Sequence, residues 1–96
     1  MALSFEWDED KAASNESKHG VTFDEARTVF PDPLAVIFDD DEHSDDESRE
    51  IIIGHSILER LLLVSFTERG EDVVRIISAR RATKRERRDY EEGSGP

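Results

Sequence analysis

With 96 residues, 24 Asp and Glu against 13 Lys and Arg, a formal charge of -11 and no cysteine, the chain is bounded to one small domain, near the size at which a single core becomes self-sufficient. Disulfides and cysteine-ligated zinc are excluded, and apolar runs of about five residues fall far short of a membrane span or a signal peptide, so the cytoplasm is the expected compartment. The acidic balance argues against sequence-blind binding to nucleic acid or an anionic membrane, so any polyanion must be met locally.

In chain order, Ser4-Phe5-Glu6-Trp7 alternates as a short edge strand does, and Asp8 is placed to N-cap a helix running to about Lys18. His19-Gly20 ends it, because glycine fits the left-handed position after a helix. Thr22-Phe23-Asp24-Glu25 matches a capping box with Val21 and Ala26 as its hydrophobic staple, which predicts a second helix from Phe23. Phe23, Ala26 and Phe30 form its buried stripe, and Pro31-Asp32-Pro33 stops it. A strand is expected over 35–38, followed by an acidic run over 39–48 that cannot bury itself and reads as a solvated loop. It lacks the glycine and glutamate spacing of a calcium loop, so no metal is expected there.

Three further strands are expected over 49–56, 60–67 and 72–79, with turns at 57–59 and 68–71, and short turns make them an antiparallel meander. Thr83-Lys84-Arg85-Glu86 is a second capping box, opening a C-terminal helix to about Glu91. Residues 1–92 thus read as a single domain and 93–96 as a flexible tail. The order β-α-α-β-β-β-β-α gives an α+β fold, an antiparallel sheet with helices mainly on one face.

Taken together, Phe5-Glu6-Trp7-Asp8, Lys11-Ala12, Asn15, the run from Lys18 to Phe23, Glu25-Ala26, Arg49 with Ile53-Gly54, and the run from Arg75 to Arg80 continuing through Glu86 and Tyr90 resemble the BrnT toxin family. The similarity spans nearly the whole chain, and it is the order and spacing of the pieces that make it specific. It implies a RelE-like fold and a cofactor-independent ribonuclease toxin of a type II toxin-antitoxin system that arrests translation and growth. It further implies neutralisation by a BrnA-type ribbon-helix-helix antitoxin, with operator DNA met only through that antitoxin and no membrane involved. The alternative favoured by the net charge is a non-catalytic acidic interaction module that keeps the fold and the partner.

Metal-independent RNA cleavage needs a base for the 2'-hydroxyl, cationic donors for the phosphorane and an acid for the leaving 5'-oxygen. Seven of the 13 basic residues lie between Arg75 and Arg88, a segregation that solubility alone does not require. Within it, Arg80 sits beside the start of the last helix and is the preferred phosphate ligand. In a regular strand Arg75 and Arg80 point to opposite faces, so a bulge is needed for both to line one cleft; Arg75 otherwise pairs with an acid on a neighbouring strand. Arg49 and His55 share a strand face by period two and are, with Arg80, the candidate catalytic residues, His55 as acid or base or else as a histidine tied to backbone. Lys18, His19, Arg75, Arg81, Lys84 and Arg85 are candidates for an RNA track, the alternatives being a helix-end charge for His19 and solvated helix faces for Lys18, Arg81, Lys84 and Arg85. Trp7 can stack on a base or anchor the first strand to the core.

Overall fold

The computed structural model describes residues 3–40 and 48–93, so residues 41–47 of the expected acidic loop and 94–96 of the expected tail lie outside the described residues. Local chemistry places the helices. β1 (Ser4–Glu6) leads into α1 (Glu9–His19), which starts where the Asp8 carboxylate accepts the Lys11 N–H at 3.0 Å and stops where Gly20 adopts φ 68°, a conformation that costs glycine least. α2 (Phe23–Arg27) starts at Thr22, whose hydroxyl accepts the Glu25 N–H at 3.0 Å. The reciprocal half of that capping box does not form, because the Glu25 carboxylate is taken by the Ser56 hydroxyl and the Arg60 guanidinium.

α2 also ends before the prolines force it to. The N–H groups of Thr28, Val29 and Phe30 each bond three residues back, and this tighter winding closes the helix with Phe30 half-buried. β2 (Val36–Asp39), β3 (Glu50–His55), β4 (Leu61–Glu68) and β5 (Val73–Arg81) follow, then α3 (Lys84–Glu91), which has the full capping box between Thr83 and Glu86.

The strands form one sheet in the order β1-β5-β4-β3-β2. The β3 to β5 meander is antiparallel as expected and β2 pairs antiparallel with β3, but β1 pairs parallel with β5, Ser4 opposite Val73 and Glu6 opposite Arg75, so the sheet is mixed. A strand joined to the sheet through helices rather than a hairpin is free to run parallel. One face carries Ile52, Leu62, Val64, Phe66, Val74, Ile76 and Ala79, which form the core with Val21, Phe23, Ala26 and Val29 from the α1 and α2 region. The opposite face carries Val36, Phe38, Ile51, Ile53 and Leu63, and there α3 borders a groove through Glu86, Asp89 and Tyr90. Two helices therefore share one face, and the third flanks the other with no buried residue of its own.

Candidate functional site

The register of β4 against β5 is the feature that builds the site. Ser65 faces Ser78 and Phe66 faces Ile76, leaving Ile77 as an extra residue. A one-residue bulge inverts the alternation of everything beyond it. Arg75, opposite Thr67, and Arg80, opposite Leu63, consequently lie on the same open face, with Ser78 between them opposite Ser65.

Asn15 ties α1, from the core side, to the edge of β5. Its side chain is buried, donates to Val21 O at 2.9 Å and Ala79 O at 2.8 Å, and accepts from Ala79 N at 3.0 Å. Because β1 covers β5 only from Val73 to Arg75, the amide of Asn15 satisfies the strand edge that no backbone reaches. His19 lies one turn further along α1 and is carried over that edge. There it lines, with Arg80, Ser65, Ser78, Ile51 and Leu63, a depression of about 80 Å³.

Arg80 is held rather than free. Its Nη1 and Nη2 donate to the two Glu86 carboxylate oxygens at 2.8 Å each, while Glu86 Oε1 also accepts the Thr83 N–H at 2.9 Å. The Arg80 fork, aided by the Thr83 N–H, pulls the Glu86 carboxyl down to about 2 from 4.5 against the opposing effect of burial, and Glu86 in turn raises Arg80 above its ordinary value. The start of α3, beside which Arg80 sits, has its Thr83 and Glu86 N–H groups already taken by the helix's own capping box.

The remaining candidates separate. Arg75 donates to Glu6 Oε2 at 3.0 Å, an acid on the neighbouring strand. Arg81 lies opposite Leu62, on the α1/α2 face, where its charge helps hold Glu25 in the ionised form behind the larger effect of Arg60. Lys18 is exposed on the last turn of α1, and Lys84 and Arg85 are exposed on the first turn of α3. Arg49 precedes β3, its carbonyl accepting the Asp40 N–H at 2.9 Å. It stands four residues along from Ile53, which shares the row of Leu63 and Arg80, so it is roughly 13 Å away along the strand direction.

His55 ends β3 two strands over from β5, roughly 10 Å across and 7 Å along from Arg80. Its N–H donates to Asp32 Oδ2 at 2.8 Å, its Nδ1 lies 3.9 Å from the same oxygen, and its ring stands edge-on to Tyr90 at 5.8 Å. The His55 and Leu34 N–H groups lower the Asp32 pKa. His55 is therefore bound into a structural brace and is not brought to Arg80. Trp7 stands edge-on to Phe23 at 5.8 Å and packs against the core. The depression is completed by Ser65 and Ser78, which sequence reasoning did not single out; the signals for the site were Ser78 at period two from Arg80 and an Asn in mid-helix four residues before a His.

A family model described as "Ribonuclease toxin, BrnT, of type II toxin-antitoxin system" matches residues 7–86. Among solved structures, the chain resembles the crystal structure of the Brucella abortus ribonuclease toxin BrnT, with a TM-score of 0.66 and 25% identity over 86% of this chain and 100% of that one. A comparison with curated proteins gives no match. The matched stretch runs from Trp7 to Glu86 and includes Asn15, His19, Ser65, Ser78, Arg80 and Glu86, and on it rests the assignment that the chain belongs to the BrnT family of ribonuclease toxins of type II toxin-antitoxin systems.

Proposed function

We propose that this chain is itself an endoribonuclease, cleaving RNA at the depression between His19 and Arg80. The observation that carries this reading is the convergence, in one recess of about 80 Å³, of an imidazole from α1 and a guanidinium from β5 with two serine hydroxyls on the strands between Ile51 and Arg80. An imidazole is the side chain suited to moving a proton near neutral pH, and a guanidinium to stabilising phosphoryl charge.

In this scheme His19 takes the proton of the 2'-hydroxyl, and the 2'-oxygen bonds to phosphorus. The added charge on the phosphorane faces Arg80. The 5'-oxygen departs with a proton from water, leaving a 2',3'-cyclic phosphate and a 5'-hydroxyl. Charge stabilisation falls to Arg80 rather than to a metal, and no cofactor takes part. Family membership implies an antitoxin partner; the proposed one is a BrnA-type ribbon-helix-helix protein, which alone contacts operator DNA, and the proposed compartment is the cytoplasm.

The test is cleavage of end-labelled single-stranded RNA by the purified chain in the presence of EDTA. His19→Gln and Arg80→Ala are expected to lower the rate by about a hundredfold or more each, with His55→Gln losing much less. A folded His19→Gln protein that cleaves at the wild-type rate overturns the scheme. The charge of -11 and the engagement of Arg80 by Glu86 favour a second reading, a non-catalytic module that only binds the antitoxin. That reading requires no RNA cleavage and no growth arrest on expression, together with retained antitoxin binding.

A further inference from the structure

A larger groove of about 290 Å³ lies beside the Arg80–His19 depression, between α3 and the open face of β2, β3 and β4. The two recesses share Ile51, Leu63 and Arg80 as walls. Whatever occupies the groove is therefore contiguous with whatever Arg80 holds. Its volume is at the small end of ligand sites and suits one nucleoside rather than a length of chain.

The lining is aliphatic and aromatic, with Phe38 from β2 and Tyr90 from α3 among its walls. Tyr90 is fixed, because its hydroxyl donates to Leu34 O at 3.0 Å and its ring rests edge-on to His55. Flat rings in an apolar slot are the surroundings in which an unstacked base is held. Two carboxylates face this slot. Glu86 is consumed by Arg80 and Thr83. Asp89 is half-buried, and its carboxylate makes no hydrogen bond or ion pair among the described residues.

A carboxylate with both oxygens available selects among the bases by their Watson–Crick edges. Guanine presents two adjacent donors, N1–H and the N2 amino group. Adenine and cytosine each place a ring acceptor beside their amino group, and uracil sets its N3–H between two carbonyls, so each of these turns at least one lone pair toward an acidic oxygen. We infer that the groove between α3 and the open face of the sheet is a base subsite of the cleavage centre, and that Asp89 makes it select guanine next to the scissile phosphate. The inference rests on the RNA-cleaving reading only for the word "scissile"; the groove's choice of base is independently measurable.

The probes are guanosine, adenosine, cytidine and uridine, each with and without a 3'-phosphate, titrated into the purified full chain and followed by calorimetry and by the methyl resonances of Ile51 and Leu63. Guanosine is expected to bind roughly tenfold or more tighter than the other three nucleosides and to shift both methyls. Asp89→Asn, on an exposed helix, removes that preference, whereas Phe38→Leu weakens all four nucleosides by about tenfold through lost stacking. Circular dichroism confirms that both variants fold. Equal affinities for the four nucleosides, or a guanine preference that survives Asp89→Asn, overturn the proposal. So does a result in which these methyls respond only to the antitoxin protein, which assigns the groove to the partner. Guanosine selectivity without any RNA cleavage sinks the proposed activity and leaves the subsite standing; cleavage without base selectivity does the reverse.

Discussion

Glu86 grips both terminal nitrogens of Arg80 at 2.8 Å with the same carboxylate that caps the Thr83 N–H at 2.9 Å. One side chain thereby ties the end of β5 to the first turn of α3 and sets a negative charge against the guanidinium that phosphate would seek. Glu86→Gln keeps the capping geometry, since glutamine serves at that position as well, and removes the charge. The expected outcome is a loss of about 1 kcal/mol or less in stability, as the pair is partly exposed, with RNA affinity rising several-fold at low salt. Filter binding at two ionic strengths checks it; an unchanged or weaker affinity means that Glu86 does not compete with phosphate.

The same carboxylate makes the fold sensitive to acid. Its pKa is about 2 in the folded chain against an ordinary 4.5, so its contribution is complete above about pH 4.5 and is lost as the pH falls toward 2. Glu25, lowered chiefly by Arg60, adds to stability in the same direction. Helical circular dichroism is expected to decline through this range, and the part due to Glu86 is missing in Glu86→Gln. Identical acid titrations of the two proteins refute the assignment.

Gly54 is constrained by space rather than by backbone angle. A Cβ there would meet Ala35 Cβ at 2.8 Å, Asp32 Oδ2 at 3.0 Å and Val29 Cγ1 at 3.1 Å, all on structured neighbours. Gly54→Ala is expected to destabilise by about 2 kcal/mol, read as a drop in melting temperature on the order of 10 °C for a domain of this size. A stable variant shows that the segment from Val29 to Ala35 can give way.

Glu50 faces Asp39 across the β2–β3 pair. Burial, then Glu68, then Asp39 raise its pKa, so its ionisation opposes folding and the fold loses stability as the pH rises through its titration. Glu50→Gln is expected to stabilise at pH 7 by about 0.5 kcal/mol. Urea unfolding at pH 7 and pH 4 decides it, with the gain confined to the higher pH.

Helix starts at Asp8, Thr22 and Thr83 and the aliphatic core strands were legible because capping and alternation are local signals. The end of α2 was not, since besides the local bond from the Thr28 hydroxyl to Glu25 O it depends on the Glu25–Arg60 pair, 35 residues apart in sequence. Period two placed His55 correctly on the open face but could not measure how far across the sheet it lies from Arg80. The same rule sent Arg75 and Arg80 to opposite faces, because the bulge at Ile77 carries no glycine to announce it. His19 looked like a helix-end charge for want of the tertiary bond that explains it, the one from Asn15 to Ala79.

That bond has a consequence for motion. The edge of β5 beyond Arg75 is completed at Ala79 by a side chain and not by a strand, so opening the last turn of α1 breaks that amide's contacts and the Arg60 Nη2–Gly20 O bond at 3.1 Å while the sheet's ladders stay intact. Local opening of this kind costs less than global unfolding. His19 is therefore expected to leave the depression more often than Arg80, and hydrogen exchange checks it, with the amide of Ala79 exchanging well before those of Val64 and Ile52.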